Sequence, residues 1–172
     1  SQVYNSIISS TVLINSFEGE GSGILINNEG WIITNYHVIE NSNNSYNKNL
    51  SVSFCPLETG KNINNQKTYV AKTIKVDPKR DLALIKLNHI ANPLINKPAK
   101  LQSTNESLSI GMDVHVIGHP NGFHCTYTYG RISQIRPNHN WVYDGSRRFN
   151  ATVIQTDTAI NPGNSGGPLI NN

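Results

Sequence analysis

The chain has 172 residues, 37% of them hydrophobic and 15% charged, and a mass of 19.0 kDa. This composition is typical of a globular protein and excludes a disordered or fibrous one. The net charge is +3, and the basic residues form no dense run. A nucleic-acid interface, which needs clustered Lys and Arg, is therefore not expected.

The first half of the chain is a series of short runs rich in β-branched residues, separated by Gly, Asn and Pro. These runs predict six strands between residues 10 and 87: STVLINS, SGILINN, GWIITNY, NLSVSFC, TYVAKTIKV and DLALIKL. One short helix is predicted at 36–41, in YHVIEN.

A second set of strands follows after residue 108, in MDVHVIG, CTYTYGRISQIR, RRFNATVIQT and GGPLIN. Strands in this spacing, without long helices between them, predict an all-β fold of antiparallel sheets, as in sandwiches or barrels. The loose segment 88–108, with its two prolines, is the natural linker. We divide the chain into a first unit at 1–90, a linker at 91–108 and a second unit at 109–172.

Two cysteines, Cys55 and Cys125, lie far apart in the sequence. They could form one bridge, but a secreted disulfide framework of this size usually carries more cysteines. We therefore favour two free thiols that serve as small core residues.

The stretch NPGNSGGPLI, residues 161–170, surrounds Ser165 with glycine and proline. Glycines allow a tight fold that points backbone N–H groups at one spot beside the serine hydroxyl, an arrangement that can hold an oxyanion. Alone, such a cluster is more often a polar turn, and a serine is a weak nucleophile without a base and a group that orients the base.

Among six histidines, His37 stands where an apolar strand should end, in GWIITNYHVIE, which suits a base held at a strand edge. A lone histidine there is more often a surface residue. Asp81 opens the alternating strand of PKRDLALIKL, where a buried carboxylate needs a partner. From the residues alone, Asp77 is nearly as good an orienting acid.

Three segments in this order resemble the His, Asp and Ser motifs of trypsin-like serine proteases, most closely the bacterial HtrA/DegP branch: GSGILINNEGWIITNYHVI, DPKRDLALIKL and IQTDTAINPGNSGGPLIN. VHVIGHPNG and YGRISQI are similar to the segment between Asp and Ser in that branch. The resemblance implies two antiparallel six-stranded β-barrels with the active site between them.

The resemblance also implies residue roles. Ser165 would be the nucleophile of a serine endopeptidase, His37 its general base and Asp81 the residue that orients His37, so it selects Asp81 over Asp77. The N–H groups of Gly163 and Ser165 would form the oxyanion hole. No metal or cofactor takes part, and the substrates would be proteins or peptides, in quality control or regulatory cleavage. The residues leave the compartment unknown; the resemblance implies the bacterial periplasm or another extracytoplasmic site, with the cytoplasm as the alternative.

Three local features depart from the digestive enzymes of that family. Asn164 replaces the aspartate that pairs with a freed N-terminus, so we expect activity without such processing. Val38 stands where a disulfide cysteine is usual. Ala159 and Ile160 stand at the floor of the substrate pocket, which predicts small or medium apolar P1 residues such as Val, Ala or Leu.

The resembled chains continue through further strands and a closing helix, often followed by PDZ domains, whereas this sequence ends seven residues beyond Ser165. We therefore expect a second barrel truncated at its C-terminal end, with an exposed edge. We favour a remainder that was removed or forms a separate chain. The alternatives are that another subunit supplies the strand, as in a homo-oligomer, or that the chain is an inactive remnant.

Two rival functions stay open. One is a catalytically inactive binding or scaffold protein on a protease fold. The other is a structural zinc site, since His115, His119, His124 and Cys125 lie close in sequence, although their spacing matches no common zinc module. A membrane span is not expected, because no apolar run approaches roughly 20 residues.

Overall fold

In the computed structural model, six antiparallel strands close into a barrel in the first half of the chain. The structure describes residues 2–90, 96–103, 107–143 and 147–172. The barrel strands are β1 (Thr11–Asn15), β2 (Glu20–Leu25), β3 (Trp31–Thr34), β4 (Asn49–Phe54), β5 (Thr68–Asp77) and β6 (Leu82–Leu87). Their order around the barrel is β1-β2-β3-β6-β5-β4.

The barrel closes around an apolar interior that its own strands supply. Alternate residues of a strand point to opposite faces, so each run contributes inward-facing side chains. Seven apolar ones are fully buried: Val12, Ile14, Leu25, Ile32, Val52, Ala71 and Ile85. Closure leaves no unpaired edge strand among the described residues 11–87, which makes the barrel a rigid support for the loops at its rim.

The second half of the chain forms an open, curled sheet of four strands in the order β10-β7-β8-β9. These are β7 (Asp113–Gly118), β8 (Thr126–Tyr143), β9 (Arg147–Thr156) and β10 (Leu169–Ile170). The predicted strand at 125–136 was too short, since β8 continues through Pro137 with a register shift between Arg136 and His139. A bulge of this kind accommodates proline because the ladder is interrupted there. The prediction of an all-β fold of antiparallel sheets is confirmed.

Two α-helices accompany the strands in the part of the chain that the structure describes. α2, Tyr36–Ile39, confirms the predicted helix at 36–41, two residues shorter at its end. α1, Gln2–Ser10, was not predicted, and it buries Ile7 and Ile8 against the outside of the barrel. Among the described residues, no helix is both long and apolar enough to cross a membrane. The barrel strands all precede residue 90 and the strands of the second sheet all follow residue 109, while the division at 1–90, 91–108 and 109–172 stays a prediction.

A disulfide joins the barrel to the second sheet. Cys55 follows β4, Cys125 precedes β8, and their Cα atoms are 5.8 Å apart. The bond lies beside a small buried cluster that Ile7, Leu13 and Ile117 share across the interface. The preference for two free thiols was therefore wrong. Residues 70 positions apart in the sequence give no sign that the fold brings them together.

Candidate active site

His37 lies on α2, the single helical turn that follows β3. Asn35 precedes the helix in an extended conformation. The flanking residues Tyr36, Val38 and Ile39 are buried in the barrel core, whereas the His37 side chain is 17% exposed. The core contacts of its neighbours thus hold the imidazole at the barrel rim.

Asp81 ends the turn between β5 and β6 and lies against His37. Its Oδ2 is 2.7 Å from His37 Nδ1, and its Oδ1 accepts a hydrogen bond of 2.9 Å from the His37 backbone N–H. The Asn35 side chain donates to the backbone oxygen of Asp81 at 2.7 Å. A carboxylate on Nδ1 favours the tautomer with the proton there, which makes Nε2 the nitrogen able to accept a proton.

Asp77, the alternative acid, lies apart from this pair. Its carboxylate accepts hydrogen bonds from the Arg80 guanidinium at 2.7 Å and from the Arg80 backbone N–H at 3.1 Å. These bonds, chiefly the guanidinium one, lower the pKa of Asp77. Asp77 therefore belongs to a surface ion pair, and Asp81 is the acid that the fold places on His37.

Ser165 stands in a loop built from two tight turns. The Asn164 N–H donates to the Asn161 carbonyl at 3.0 Å, and the Gly167 N–H donates to the Asn164 carbonyl at 2.9 Å. Gly163 and Gly166 both have left-handed backbones, with φ of 99° and 83°. A Cβ at Gly163 would lie 2.1 Å from the His119 carbonyl oxygen, so only glycine fits.

Contacts from outside the loop fix its position. Ser22 on β2 donates its backbone N–H to the Ser165 carbonyl at 2.8 Å and its hydroxyl to the Gly163 carbonyl at 2.7 Å. Behind the loop, the His119 N–H donates to the Gly163 carbonyl at 3.3 Å and the Asn121 N–H to the Pro162 carbonyl at 2.9 Å. The serine loop is thus held between the barrel and the turn at 119–122.

His37 and Ser165 line the same cleft, which has a volume of about 480 Å³. Its wall includes the acidic side chains Glu18, Glu20 and Glu40 and one basic side chain, Arg147. Arg147, on β9, forms a two-pronged ion pair with Glu40 and lies over the Tyr36 ring, 5.1 Å from its centroid. The hairpin of β8 and β9 therefore reaches across to the helix that carries His37.

This geometry agrees with known proteins. The family model of the trypsin-like peptidase domain matches residues 21–172. The chain belongs to this family. It is 37% identical over 159 residues to protease Do-like 8, chloroplastic, of Arabidopsis thaliana, covering 89% of this chain and 33% of that protein. It is 35% identical over 154 residues to the probable periplasmic serine endoprotease DegP-like of Marinomonas sp. (strain MWYL1), covering 88% and 27%.

The crystal structure of Deg5 is similar to this trypsin-like domain throughout, with a TM-score of 0.75, 29% identity and coverage of 99% of this chain and 78% of that chain. The HtrA/DegP resemblance of the three sequence motifs is therefore confirmed. The chain spans about a third or less of the length of the two curated relatives.

Backbone donors lie free beside the serine of this trypsin-like domain. Within the part of the chain that the structure describes, no hydrogen bond uses the N–H of Gly163 or of Ser165. The carbonyl oxygens of the same two residues are bonded to Ser22, as described above. The oxyanion hole predicted at these two N–H groups stays a prediction.

The remaining predicted residues lie below and beside the loop. Asn164 is 5% exposed and donates its side-chain amide to the Ala159 carbonyl at 3.3 Å. Ala159 and Ile160 are exposed, the latter by 59%, and neither lines the cleft that holds His37 and Ser165. The prediction that these two side chains contact substrate therefore receives no support from the cleft, and it stays a prediction.

Sequence patterns missed several residues that shape the site. Ser22 bonds a loop 141 positions away, and nothing in EGSGIL distinguishes it from an ordinary strand serine.

Of the four zinc candidates, His115 lies apart, bonded to Tyr127 and Asn172 at 2.7 Å each. Cys55, which no zinc pattern suggested, lies with His119 and Cys125 instead.

Proposed function

We propose that this chain is a serine endopeptidase domain that hydrolyses peptide bonds through Ser165, His37 and Asp81. The observation that carries the proposal is the two-point contact of the Asp81 carboxylate with His37, beside a glycine-rich serine in the same cleft. In the trypsin-like family this combination performs acyl transfer.

The proposed reaction has two halves. His37 Nε2 takes the proton of Ser165 Oγ as the oxygen attacks the peptide carbonyl carbon, and Asp81 stabilises the imidazolium that forms. The negative oxygen of the tetrahedral intermediate accepts hydrogen bonds from the Gly163 and Ser165 N–H groups. His37 then gives the proton to the leaving amine, and water hydrolyses the acyl-enzyme by the same steps.

The proposed specificity is for small or medium apolar P1 residues. It is supported by the uncharged Ala159 and Ile160 before the serine loop, which offer Arg or Lys no partner. A second expectation comes from the cleft itself. Glu18 and Glu20 line it, and its one basic side chain, Arg147, is already paired with Glu40, so a basic substrate residue at that end of the cleft should be favoured.

A fluorophosphonate probe tests the nucleophile on the folded 172-residue chain. We expect one probe per molecule, located on Ser165 by peptide mass mapping, and loss of labelling in S165A and after denaturation. Ser133, an exposed serine of β8, provides the matched control S133A, which should label like the wild type. Absence of labelling in folded wild-type protein would favour the inactive binding or scaffold protein instead.

Peptide substrates test the specificity separately. Cleavage of a mixed peptide library should place Val, Ala or Leu before the scissile bond. Predominant cleavage after Arg or Lys would reject the apolar pocket while leaving the proposed triad intact.

A further inference from the structure

A cluster of nitrogen and sulfur atoms lies behind the serine loop, where the barrel meets the second sheet. The sulfurs of Cys55 and Cys125 and a ring nitrogen of His119 all lie within 4.8 Å of one another. Thiolate and imidazole are the ligands that Zn²⁺ prefers in structural sites. In the oxidised chain the two sulfurs are bonded to each other, so the cluster can bind a cation only after reduction.

His119 has the properties of a metal ligand. It is completely buried, and its Nδ1 accepts a hydrogen bond of 3.3 Å from the Cys125 N–H. The ring also meets the backbone of Val12, and its Nε2 makes no hydrogen bond of ordinary length and angle within the described residues.

His124 offers a fourth ligand from the same turn. Its ring centroid is 5.5 Å from that of His119, and two imidazoles on one tetrahedral ion stand about 5 Å apart. The His124 Nε2 is buried without a hydrogen-bond partner in the described part of the chain, and the nearest carboxylate oxygen, on Glu20, is 3.6 Å away. The partly buried His124 ring therefore stands next to the buried His119 ring, outside the cluster of the two sulfurs and His119.

We propose that Cys55, Cys125, His119 and His124 form a binding site for Zn²⁺, or for a similar soft divalent cation, in the reduced protein. An external dithiol first reduces the disulfide and becomes a disulfide itself, which leaves two thiols on the chain. The cation then binds both sulfurs as thiolates, and two protons are released. The disulfide and the metal complex are alternative links between the barrel and the second sheet.

The site would matter because of the turn that carries it. The same turn donates the His119 and Asn121 N–H groups to the serine loop. A cation in the reduced protein would keep this turn joined to the barrel through Cys55, as the disulfide does in the oxidised protein. This consequence rests on the proposed protease function, whereas binding of the metal does not.

Metal titration of the 172-residue chain tests the site. The chain is reduced with a phosphine, freed of reductant under nitrogen and titrated with Zn²⁺ against a chromophoric chelator, and with Co²⁺ followed by absorption. We expect one ion per chain, thiolate-to-cobalt charge-transfer bands and tetrahedral cobalt bands. The oxidised chain should bind no ion at the same concentrations.

Variants identify the ligands. C125S and H119Q should weaken binding by more than about 100-fold, and H124Q by about 10- to 100-fold. The matched control is H139Q, since His139 is exposed on the hairpin, and it should bind like the wild type. Because H119Q changes a buried residue, its folding is checked by circular dichroism, and the partly exposed His124 supplies an independent variant if H119Q does not fold.

Three results would overturn the proposal: no stoichiometric binding by the reduced chain, cobalt spectra without thiolate bands, or equal binding by the oxidised chain. If H124Q bound the ion with wild-type affinity, His124 would not be a ligand and the four-ligand site would be rejected. None of these results bears on Ser165, which the fluorophosphonate probe reports by itself.

Discussion

The closed barrel and the open second sheet contribute to the cleft in different ways. The barrel has a buried core of its own and presents His37 and Asp81 already bonded to each other. The second sheet presents Ser165 on a loop, and its residue Ile117 belongs to a buried cluster shared with the barrel and α1. The barrel core therefore positions His37 and Asp81, whereas contacts with the barrel and with the turn at 119–122 position the serine loop.

This difference separates two kinds of failure. A change at His37 or Asp81 should damage chemistry and leave the serine loop in place. A change around the serine loop should displace backbone donors and leave the barrel intact. Each prediction below pairs a variant with a readout for the other half of the molecule.

The largest effect is expected for D81N, on the barrel side. Asparagine can still accept the hydrogen bond from the His37 backbone, but it favours the wrong tautomer of the ring, which in such triads lowers turnover by about 10⁴-fold. The rate of fluorophosphonate labelling of Ser165 measures the loss. D77N is the matched control, because Asp77 pairs with Arg80 at the surface, and an equal loss in both variants would remove Asp81 from its proposed role.

The next effect is expected for G163A, on the side of the serine loop. The new methyl group would meet the His119 carbonyl and the left-handed backbone would be strained, so the loop must move. Loss of one oxyanion donor costs about 10²- to 10³-fold in rate. The thermal unfolding of the barrel, followed by far-ultraviolet circular dichroism, should change little.

G60A separates the effect of a strained left-handed backbone from that of a steric clash of the new Cβ. Gly60 also has a left-handed backbone, with φ of 79°, but a Cβ there meets no atom within 4 Å. We expect G60A to cost about 1 kcal/mol of stability and to label at the wild-type rate. A full labelling rate in G163A would show that the loop does not depend on this contact.

Acid should lower the free energy of unfolding through His119, which is buried where the barrel meets the second sheet. Its pKa is about 4 in the folded chain, chiefly because of burial, against an ordinary value of 6.5. Between these two values the unfolded chain binds a proton that the folded chain does not, so the free energy of unfolding falls as pH falls from 6.5 to 4. The loss can reach about 3 kcal/mol and is absent above pH 6.5.

Urea unfolding of the oxidised, chelator-treated chain at a series of pH values measures this loss. H119Q should flatten the profile between pH 6.5 and 4, because its side chain does not titrate. A profile that H119Q leaves as steep as the wild type would assign the acid sensitivity to other groups.

The smallest effect is expected for S22A, which removes one bond from the barrel to the serine loop. The lost hydroxyl contact with the Gly163 carbonyl should cost about 1 kcal/mol, or about fivefold in labelling rate. The His119 N–H still bonds that carbonyl, which limits the effect. S51A, at an exposed barrel position, serves as the control, and equal rates in the two variants would show that the barrel does not hold the loop through this bond.

The sequence predicts the strands of the barrel well because their signal is local, whereas the family resemblance, not the local pattern, implied a barrel. Each barrel strand is a short β-branched run between turn residues, and His37 and Asp81 follow from where two of those runs begin or end. Physical reasoning alone did not separate Asp81 from Asp77, because the choice depends on the turn that points one carboxylate at α2 and the other at Arg80.

The features that the sequence does not predict depend on contacts between distant residues, or on packing that overrides the local preference of the chain. The bonds of Ser22 to the serine loop and the Cys55–Cys125 disulfide join residues 141 and 70 positions apart. α1 has serine and β-branched residues that disfavour a helix, and its stability comes from Ile7 and Ile8 packed on the barrel. The run CTYTYGRISQIR predicted a strand that ends at Arg136, but β8 continues beyond it through a register shift.

The disulfide also determines what a cut in the chain would do. Cys55 and Cys125 enclose β5, β6 and β7, including Asp81, while His37 precedes the enclosed segment and Ser165 follows it. A single cleavage between positions 55 and 125 therefore leaves the two fragments covalently linked in the oxidised protein. Such a nicked molecule would migrate as one band without reductant and as two with it, and its His37 and Ser165 would still belong to one particle.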